Sequence, residues 1–411
     1  MTFEQIDSLA NKYGTPFFLM NGKAYLDNIH AFVDAFKRKY ERIIVGYSFK
    51  TNYVPALCNI AKEAGCFAEV VSSMEFEIAK KIGFNNFIFN GPIKTDKNLE
   101  AAIEADAIIN LDSEYEVDFI CKYKSEHPEC NPKIGLRINI RLIDQEGRST
   151  IQCGLRQGRF GFPEYLHEQI INRLSSAGMD IVSLHGHTSS SDRAVYNYKI
   201  IVEQMLNVCK RFQLNNLKYF DVGGGFFGAA AEGICTTGKP TYEDYANIIL
   251  DLVLEDDWFK QHQPFIVIEP GSSVVSNVFE YVTKVYQTKQ IGDVSFVSVD
   301  GSVFDVKPTL HANNLPIIVL RKEERLEDGT FDIVGSTCME KDVILKAVKM
   351  PAVAKGDYIL MRGVGAYTIC LTPTFINYLP PILSIEEDNV KVVRRRQNVN
   401  DVLSLYAVDS I

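Results

Sequence analysis

The sequence predicts an α/β fold in which a (β/α)8 barrel, or TIM barrel, precedes a domain made mainly of β-strands. Between residues 43 and 268, eight short apolar runs alternate with segments of helical period. Strands that alternate with helices form right-handed βαβ units with a parallel sheet, and the stretch approaches the roughly 250 residues of a typical barrel. After Val275, helical spacing becomes scarce and β-like runs between turn residues take over. A doubly wound sheet with extra strands is the alternative for the first part.

Each predicted barrel strand is a short apolar run. The predicted strands are Ile43–Ser48, Phe67–Val71, Phe87–Phe89, Ala107–Leu111, Ile134–Ile140, Ile181–His185, Tyr219–Val222 and Phe265–Ile268. The predicted helices between them include Val54–Ala64, Ser73–Ile82, Leu99–Ala105, Glu114–Lys124, Glu164–Ala177 and Val195–Phe212. The last of these is the clearest helix, because its apolar side chains recur every three or four residues and so share one face.

The β-rich part after Val275 is predicted to recruit a strand from the N-terminus. Phe17–Met20 is a short apolar run that follows a Gly-Thr-Pro turn. The basic run Lys391–Gln397 is expected to be a solvated loop or an edge strand. The predicted domains are an N-terminal segment over 1–24 that joins the β-domain, a barrel over 25–275, and the β-domain over 276–411.

Composition and charge are those of a soluble enzyme. The chain has 411 residues, 43 Lys and Arg against 52 Asp and Glu, and a net charge of −9, which argues against nucleic acid or an anionic membrane as a partner. No signal-peptide pattern or long apolar span is present, so we expect a cytoplasmic protein. The nine cysteines are scattered without a C-x-x-C pair. We therefore expect no disulfide framework or zinc ribbon, and mostly small buried cysteine side chains.

Lys50 directly follows the first predicted strand, in the run Phe49–Asn52. Side chains at the carboxyl ends of barrel strands converge on one mouth, so its amine is expected to point there. Loss of water lowers the pKa of a lysine and suits Schiff-base chemistry. A solvated lysine at a strand end is the alternative that position alone leaves open.

Glycine-rich and acidic segments follow the last two predicted barrel strands. Gly223–Gly225 come after the seventh strand, and Glu269–Gly271 come after the eighth. Loops at these positions commonly bind phosphate in barrels, and glycines let backbone N–H groups approach an anion. Residues 223–228 also match G-x-G-x-x-G, but no convincing helix follows, so a dinucleotide site is not favoured. Glu269 alone is compatible with a metal ligand, an acid or a partner for a ring nitrogen.

His185 and His187 end the sixth predicted strand, with one residue between them. This spacing places both imidazoles on one face of an extended segment, where they could bind a metal ion. The sequence offers no second histidine cluster, and Glu269 lies far along the chain. We therefore predict no metal site.

Ordered motifs along the chain match those of one enzyme family. Tyr47–Asn52 (YSFKTN) is similar to a Y-A-x-K-A-N motif, and Ala68–Ala79 is similar to a D-V-V-S-x-x-E-L segment. The further motifs, in order, are Arg137–Ile140, Gly158–Phe162, His185–Asp192, Asp221–Phe226, Glu269–Ser272, Ser336–Asp342 and Gly365–Thr368. From about residue 13 to about residue 378, the chain thus resembles the fold-type III pyridoxal 5'-phosphate (PLP) decarboxylases, the diaminopimelate/ornithine decarboxylase family. The resemblance implies an alanine-racemase-like fold, a barrel plus a β-barrel or β-sandwich domain.

The resemblance also implies a cofactor, PLP, and roles for individual residues. Lys50 would hold PLP as an aldimine, Glu269 would keep the pyridine nitrogen protonated, and His187 would stack on the ring. Other residues assigned to the cofactor, mostly to its phosphate, are Glu69, Ser190, Gly223, Gly224, Gly225, Gly271, Ser272 and Tyr367. Glu75 matches an acidic position of the family. Cys338 of the partner subunit would act near Cα during reprotonation, which implies a homodimer with active sites at the interface.

The substrate-recognition positions depart from those of diaminopimelate decarboxylases. Ser272 stands where the family has Arg, Ser189 replaces a glycine, Lys307–His311 (KPTLH) stands for R-P-x-L-Y, and Cys338–Glu340 (CME) stands for Cys-Glu-Ser. Loss of a bidentate Arg is not a conservative change. We therefore expect a decarboxylase whose substrate is not ordinary meso-diaminopimelate; the candidates are a D-amino acid, a siderophore or peptide-antibiotic precursor, and an aminoacyl group on a carrier. Its substrate contacts would come from Lys307, His311, Cys338, Met339, Glu340 and Tyr367.

Four alternatives remain at this point. The first is an authentic diaminopimelate decarboxylase of lysine biosynthesis. The second is an amino-acid racemase of the same fold, which would use Lys50 and a tyrosine of the partner subunit as two bases, and which Cys338 in its C-x-x-x-D loop disfavours. The third is a non-catalytic PLP carrier, which the β-domain argues against. The fourth is a metal hydrolase that uses His185 and His187.

Overall fold

The computed structural model describes residues 1–144, 146–325, 327–386 and 389–406. Contacts divide the chain into two compact units. The barrel unit comprises Leu26–Gly228 and Thr237–Val274, and the β-rich unit comprises Met1–Tyr25, Ala229–Thr236 and Val275–Ile411. Within the described ranges, no helix is long and apolar enough to cross a membrane.

Strands and helices alternate through the first two thirds of the chain, and strands dominate the rest. The strands are β1 (Phe17–Met20), β2 (Ile43–Ser48), β3 (Phe67–Val70), β4 (Phe87–Phe89), β5 (Ile108–Leu111), β6 (Lys133–Arg137), β7 (Ile181–His185), β8 (Tyr219–Asp221), β9 (Phe265–Ile268), β10 (Phe279–Ile291), β11 (Val294–Val299), β12 (Ile317–Leu320), β13 (Asp328–Val334), β14 (Val343–Pro351), β15 (Tyr358–Arg362), β16 (Ile382–Glu386) and β17 (Asn389–Arg394). The helices are α1 (Phe3–Tyr13), α2 (Gly22–Lys37), α3 (Pro55–Glu63), α4 (Ser73–Ile82), α5 (Asp96–Glu104), α6 (Glu114–Glu126), α7 (His167–Ser176), α8 (Val195–Arg211), α9 (Tyr242–Glu255), α10 (Asp257–His262), α11 (Ser272–Val275), α12 (Val303–Val306) and α13 (Val399–Leu403). Short 3-10 helices cover Phe49–Thr51, Gln152–Gly154 and Glu164–Leu166.

The predicted barrel is confirmed. In the described chain, β2 to β9 form a closed parallel barrel, in which β9 pairs with β2. The doubly wound alternative is wrong, because an open sheet would leave β2 and β9 apart. The largest excess in predicted strand length is at β6, which ends at Arg137, since Ile138 forms a bridge with Phe162 and Asn139 donates its backbone N–H to the same residue.

Local sequence signals explain where the barrel helices begin and end. In α4, the side chain of Ser72 accepts the backbone N–H of Glu75, and Gly83 ends the helix in the left-handed region at φ 92°. These are standard capping arrangements. Thr95 caps α5 in the same way through Asn98, so α5 starts three residues before the predicted position.

The β-rich unit is one mixed sheet. It has nine strands among the described residues, in the order β14-β13-β11-β10-β1-β16-β17, and β15 pairs with β10 and β12. The predicted N-terminal strand is confirmed, because β1 pairs antiparallel with β10 and parallel with β16. The basic run at 391–397 begins within β17, which lies at the edge of the sheet. The core of the β-rich unit forms where α1 packs Ile6 and Leu9 against apolar strand residues such as Tyr358 and Leu383.

One segment departs from the predicted domain boundaries. The predicted boundaries at 24/25 and 275/276 leave residues 229–236 in the barrel, but this segment clusters with the β-rich unit, where Glu232 pairs with Arg362.

The expectation of mostly buried cysteines is wrong. Only Cys58, Cys66 and Cys209 are buried, because the other six lie on partly solvated helix faces or in loops. No disulfide forms within the described residues.

Candidate active site

Lys50 lies at the carboxyl end of β2, on the 3-10 turn over 49–51. Its Nζ donates a hydrogen bond of 2.8 Å to Oε2 of Glu69, and its side chain is 32% exposed while that of Glu69 is fully buried. Ser48 donates to the same oxygen at 2.5 Å. The parallel register explains this cluster, because Ser48 on β2 lies directly beside Glu69 on β3. Lys50 is therefore a partly desolvated amine held by a carboxylate.

A second acidic cluster lies at the ends of β7, β8 and β9. Glu269 follows β9, is 2% exposed, and has its Oε2 3.5 Å from Nε2 of His185. Burial raises the pKa of Asp221 well above its usual range, and the neighbouring Glu269 adds to this effect. Burial, together with the charge of Arg137, lowers the pKa of His185 well below its usual range. The cluster thus places an imidazole that burial keeps neutral beside two buried acids, Asp221 and Glu269.

His187 presents a neutral ring next to the glycine-rich loop. Burial and the charge of Arg137 lower its pKa to about 3. Its Nδ1 accepts the backbone N–H of Gly224 at 3.1 Å. The rings of His185 and His187 are nearly parallel, at 6° and with centroids 6.2 Å apart. A flat, uncharged ring in this position suits stacking on an aromatic group.

Glycine is required in the loop after β8. Gly223 has φ +69°, and a Cβ there would overlap the side chain of His187. A Cβ on Gly224 would overlap the carbonyl oxygen of Glu269. Tyr198 donates its hydroxyl to the carbonyl of Gly224 at 2.8 Å, which fixes the loop from outside. The loop therefore brings backbone groups close to both the acidic cluster and His187.

Gly224→Ala is expected to weaken cofactor binding and to destabilise the chain, because the new methyl group would have to displace the backbone after Glu269. Overpacking of this kind costs about 1–3 kcal/mol. Thermal unfolding and the PLP dissociation constant are the measurements. Gly238→Ala is the control for backbone strain alone, because φ is +73° there but a Cβ meets no atom within 4 Å, so it should destabilise the chain without weakening PLP binding. Wild-type unfolding temperature and PLP affinity in Gly224→Ala would contradict the geometry.

These residues fit PLP. The site offers an amine, buried carboxylates, a neutral ring for stacking and a loop that only glycine can form. Neither ring nitrogen of His185 has a hydrogen-bond partner among the described residues, although both are buried, which is consistent with a polar ligand in this region. His185, Asp221 and Glu269 are also close enough to hold a metal ion, with ligand atoms within 4.8 Å of one another. The His185–His187 pair that the sequence left as an alternative is a different set, since Nδ1 of His187 accepts the backbone N–H of Gly224.

Other residues that the sequence motifs single out lie in the barrel unit. Glu75 accepts the backbone N–H of Val71 at 2.8 Å, and burial raises its pKa to about 7. The hydroxyl of Ser190 accepts the backbone N–H of Arg193 at 3.0 Å. Gly271 lies so close to Thr51 that a Cβ would overlap its hydroxyl, and Ser272 begins the short helix α11.

The remaining predicted residues lie in the β-rich unit. Cys338, Met339 and Glu340 share a loop, in which Cys338 and Glu340 are exposed and Met339 is half-buried. Asp342 anchors this loop by accepting the backbone N–H and the hydroxyl of Thr337, at 3.0 and 2.7 Å. Tyr367 is 42% exposed.

A basic cavity brings two predicted substrate residues together. Lys307 is only 3% exposed, and it lines a cavity of about 360 Å³ with His311, Lys341 and Lys346. Asp332 is the one acidic residue in the described lining. The cavity is therefore suited to a negatively charged group.

Sequence reasoning missed Ser48 and Asn90. Asn90 is the residue after β4, is 2% exposed, and donates to both Glu69 and Glu269. A polar residue at the carboxyl end of a barrel strand was the available signal. The sequence does not single out Asn90, because an asparagine side chain is neither an acid, a base nor a nucleophile.

Comparisons with known proteins agree on one family. The model of the family described as "Pyridoxal-dependent decarboxylase, pyridoxal binding domain" matches residues 26–276. A probable chloroplastic diaminopimelate decarboxylase of Oryza sativa subsp. japonica is 29% identical over 413 residues, which covers 97% of this chain and 81% of the relative.

Solved structures show the same similarity. The diaminopimelate decarboxylase of M. jannaschii superposes with a TM-score of 0.86 at 25% identity, over 98% of this chain and 94% of the other. The Helicobacter pylori diaminopimelate decarboxylase, complexed with L-lysine, gives a TM-score of 0.85 at 25% identity, over 97% and 98%. Since the family match covers more than half of its 411 residues, the chain belongs to the pyridoxal-dependent decarboxylases and is a PLP-dependent carboxy-lyase.

Proposed function

We propose that this chain removes the α-carboxylate of diaminopimelate as CO2, at the site built by Lys50, Glu69, His187 and Glu269. The observation that carries the proposal is the partly desolvated amine of Lys50, held by Glu69 in the same barrel as the buried Glu269. Bound PLP supplies an electron sink for the electron pair left at Cα when CO2 departs.

The residues of the chain perform binding, orientation and proton transfer. Lys50 would attach the cofactor through its amine, and Glu69 orients that amine through the 2.8 Å hydrogen bond. Glu269 would keep the ring nitrogen protonated, and the burial of its carboxylate would strengthen this charge interaction. His187, kept neutral by burial, would pack on the ring without opposing the proton at that nitrogen.

Cys338 is proposed to return the proton to Cα, in the role that the family resemblance implies for the partner subunit. Its thiol is exposed on the loop anchored by Asp342, so it is accessible to a second copy of the chain. A homodimer follows from this role, and sedimentation of the purified protein would test it.

The relatives favour diaminopimelate over the specialised substrate that the sequence alone suggested. Full-length relatives from a plant and a bacterium carry this activity in their names, and each aligns over 97% of this chain. Lys307 and His311 in the basic cavity support a substrate with a second carboxylate. Ser272 and Met339, which differ from the family's Arg and Glu, favour a different amino acid as the second candidate.

A steady-state assay separates the two candidates. CO2 release is measured with meso-diaminopimelate and, separately, with D-ornithine, L-ornithine and L-arginine. The proposal predicts the highest kcat/KM for meso-diaminopimelate, at about 10⁴ M⁻¹s⁻¹ or more. A higher kcat/KM for another amino acid would mean that this amino acid, and not diaminopimelate, is the substrate, while the assignment of the chain as a decarboxylase would stand. Inversion at Cα without CO2 would point to the racemase alternative.

Lys307→Met is expected to raise KM for diaminopimelate roughly tenfold or more, because a hydrogen bond to a charged group contributes about 1.5–3 kcal/mol. The change in kcat should be small, since this contact exists before and during the reaction. Lys349→Met is the matched control, an exposed lysine of the same unit that lies outside the cavity lining. An unchanged KM in Lys307→Met would exclude this cavity as the carboxylate site.

A further inference from the structure

A chain of buried hydrogen bonds crosses the barrel interior and ends on both carboxylates of the site. Ser183 on β7 donates to Oδ1 of Asn110 on β5 at 2.8 Å, and Asn110 donates to Oδ1 of Asn90 at 2.9 Å. Asn90 then donates through Nδ2 to Oε1 of Glu69 at 3.0 Å and to Oε1 of Glu269 at 2.6 Å. All five residues are at most 2% exposed. We call Ser183, Asn110 and Asn90 the amide relay.

The amide relay fixes which way the Asn90 side chain points. Because Asn110 donates to its oxygen, the nitrogen of Asn90, with two N–H groups, faces Glu69 and Glu269. One neutral amide thus satisfies two buried acceptors without adding a charge. An aspartate would place a third acid between two others, and an alanine would leave both acceptors unsatisfied, so the position specifically suits an amide.

The neighbouring strand leaves room for the amide relay. Gly135 on β6 lies beside Asn110 and Ser183, and a Cβ there would overlap Oδ1 of Asn110 and come within 2.6 Å of Cβ of Ser183. The absence of a side chain at this position therefore permits the hydrogen bonds that hold Asn90.

Asn90 contacts only Oε1 of Glu69 and Oε1 of Glu269, so Oε2 of each carboxylate faces the other groups of the site. Oε2 of Glu69 accepts from Lys50 at 2.8 Å, and Oε2 of Glu269 lies 3.5 Å from Nε2 of His185. We propose that Asn90 is a positioning residue that holds Glu69 toward Lys50 and holds Glu269 in the orientation that binds the PLP ring nitrogen. This inference rests on the proposed roles of Lys50 and Glu269.

The test compares PLP binding in full-length variants. The measurements are the PLP dissociation constant, the violet absorbance band of the bound cofactor, kcat and KM, in Asn90→Ala, Asn90→Ser and the wild type. Asn90→Ala should raise the dissociation constant by roughly tenfold or more and weaken the band per bound PLP, because charge-assisted hydrogen bonds are lost. Asn90→Ser keeps one hydrogen-bond donor, so its PLP dissociation constant and absorbance band should lie between those of the wild type and of Asn90→Ala.

Thr283→Ala is the control. Thr283 is a fully buried polar residue of the β-rich unit, and its hydroxyl donates to the backbone carbonyl of Ile359 at 3.0 Å. Its loss should lower the unfolding temperature but leave PLP affinity within about twofold, since no charge-assisted bond at the cofactor changes. A purely structural role for Asn90 would make the two alanine variants alike in PLP affinity and absorbance, and that result would overturn the inference.

Ser183→Ala keeps the inference falsifiable if Asn90→Ala does not fold. It removes only the far end of the amide relay, so it should raise the PLP dissociation constant by about threefold, and an unchanged value would reject the inference. Failure of the wild type to attach PLP at Lys50 would reject the proposed function and, with it, this inference. Normal attachment with unaffected variants rejects the role of Asn90 alone.

Discussion

Lys50→Ala should lower CO2 release by roughly 10⁴-fold or more, in line with the loss of a nucleophile that acts as one unit with its neighbours. The amine of Lys50 is the only group of the candidate site, within the described residues, that can attach PLP covalently beside Glu69. Its removal also leaves Glu69 fully buried without a cation. The measurement is kcat for CO2 release with saturating PLP.

Lys50→Arg is the matched variant for this prediction. A guanidinium retains the positive charge next to Glu69 but stays protonated and does not form a Schiff base. The variant should therefore unfold near the wild-type temperature while remaining as inactive as Lys50→Ala. More than about a tenth of the wild-type kcat in Lys50→Arg would show that charge, and not attachment, is what Lys50 supplies.

Glu269→Gln is expected to lower kcat by about 10²–10³-fold, the range seen when one preorganised electrostatic contact is removed from a buried site. A neutral amide cannot keep the ring nitrogen protonated, although it fills the same volume. Glutamine has the shape of glutamate and can still accept the hydrogen bond from Asn90 and lie beside Asp221. The substitution therefore removes the charge of Glu269 and keeps the shape of the cluster. Steady-state kcat and the PLP content of the purified variant are the measurements.

Glu77→Gln is the control for this change, because Glu77 is an exposed acid on α4 in the same unit. It should retain kcat within about twofold, as is usual for surface substitutions. If Glu269→Gln also retained kcat within that range with full PLP content, the ring-nitrogen role of Glu269 would be wrong. Loss of PLP from Glu269→Gln alone would instead assign Glu269 to cofactor binding.

The barrel could be predicted because its strands are short apolar runs with clear ends. β2 and β9 match their predicted bounds, since each is followed by a turn or a polar residue. β6 was predicted too long because Ile138 and Ile140 continue its apolar pattern, and only the tertiary bridge to Phe162 ends the strand. Local pattern therefore determined which strands exist, and long-range pairing determined where some of them end.

The candidate site could be predicted where the chemistry of a side chain is visible in the sequence. Lys50 and Glu269 stand out at strand ends, and the structure pairs the half-buried Lys50 with Glu69 and buries Glu269. Asn90 could not be found in this way, because its importance lies in two hydrogen bonds to residues from β3 and from the end of β9. The burial of individual cysteines was equally inaccessible, since it depends on which helix face each one occupies.

Attachment of PLP to Lys50 is tested most directly by borohydride reduction of the wild-type protein with bound PLP, followed by peptide mass analysis. We expect bleaching of the violet band and one reduced pyridoxyl label on the peptide that contains Lys50, with none on the fully buried Lys94. A label on another lysine, or no label on a protein saturated with PLP, would show that Lys50 does not carry the cofactor.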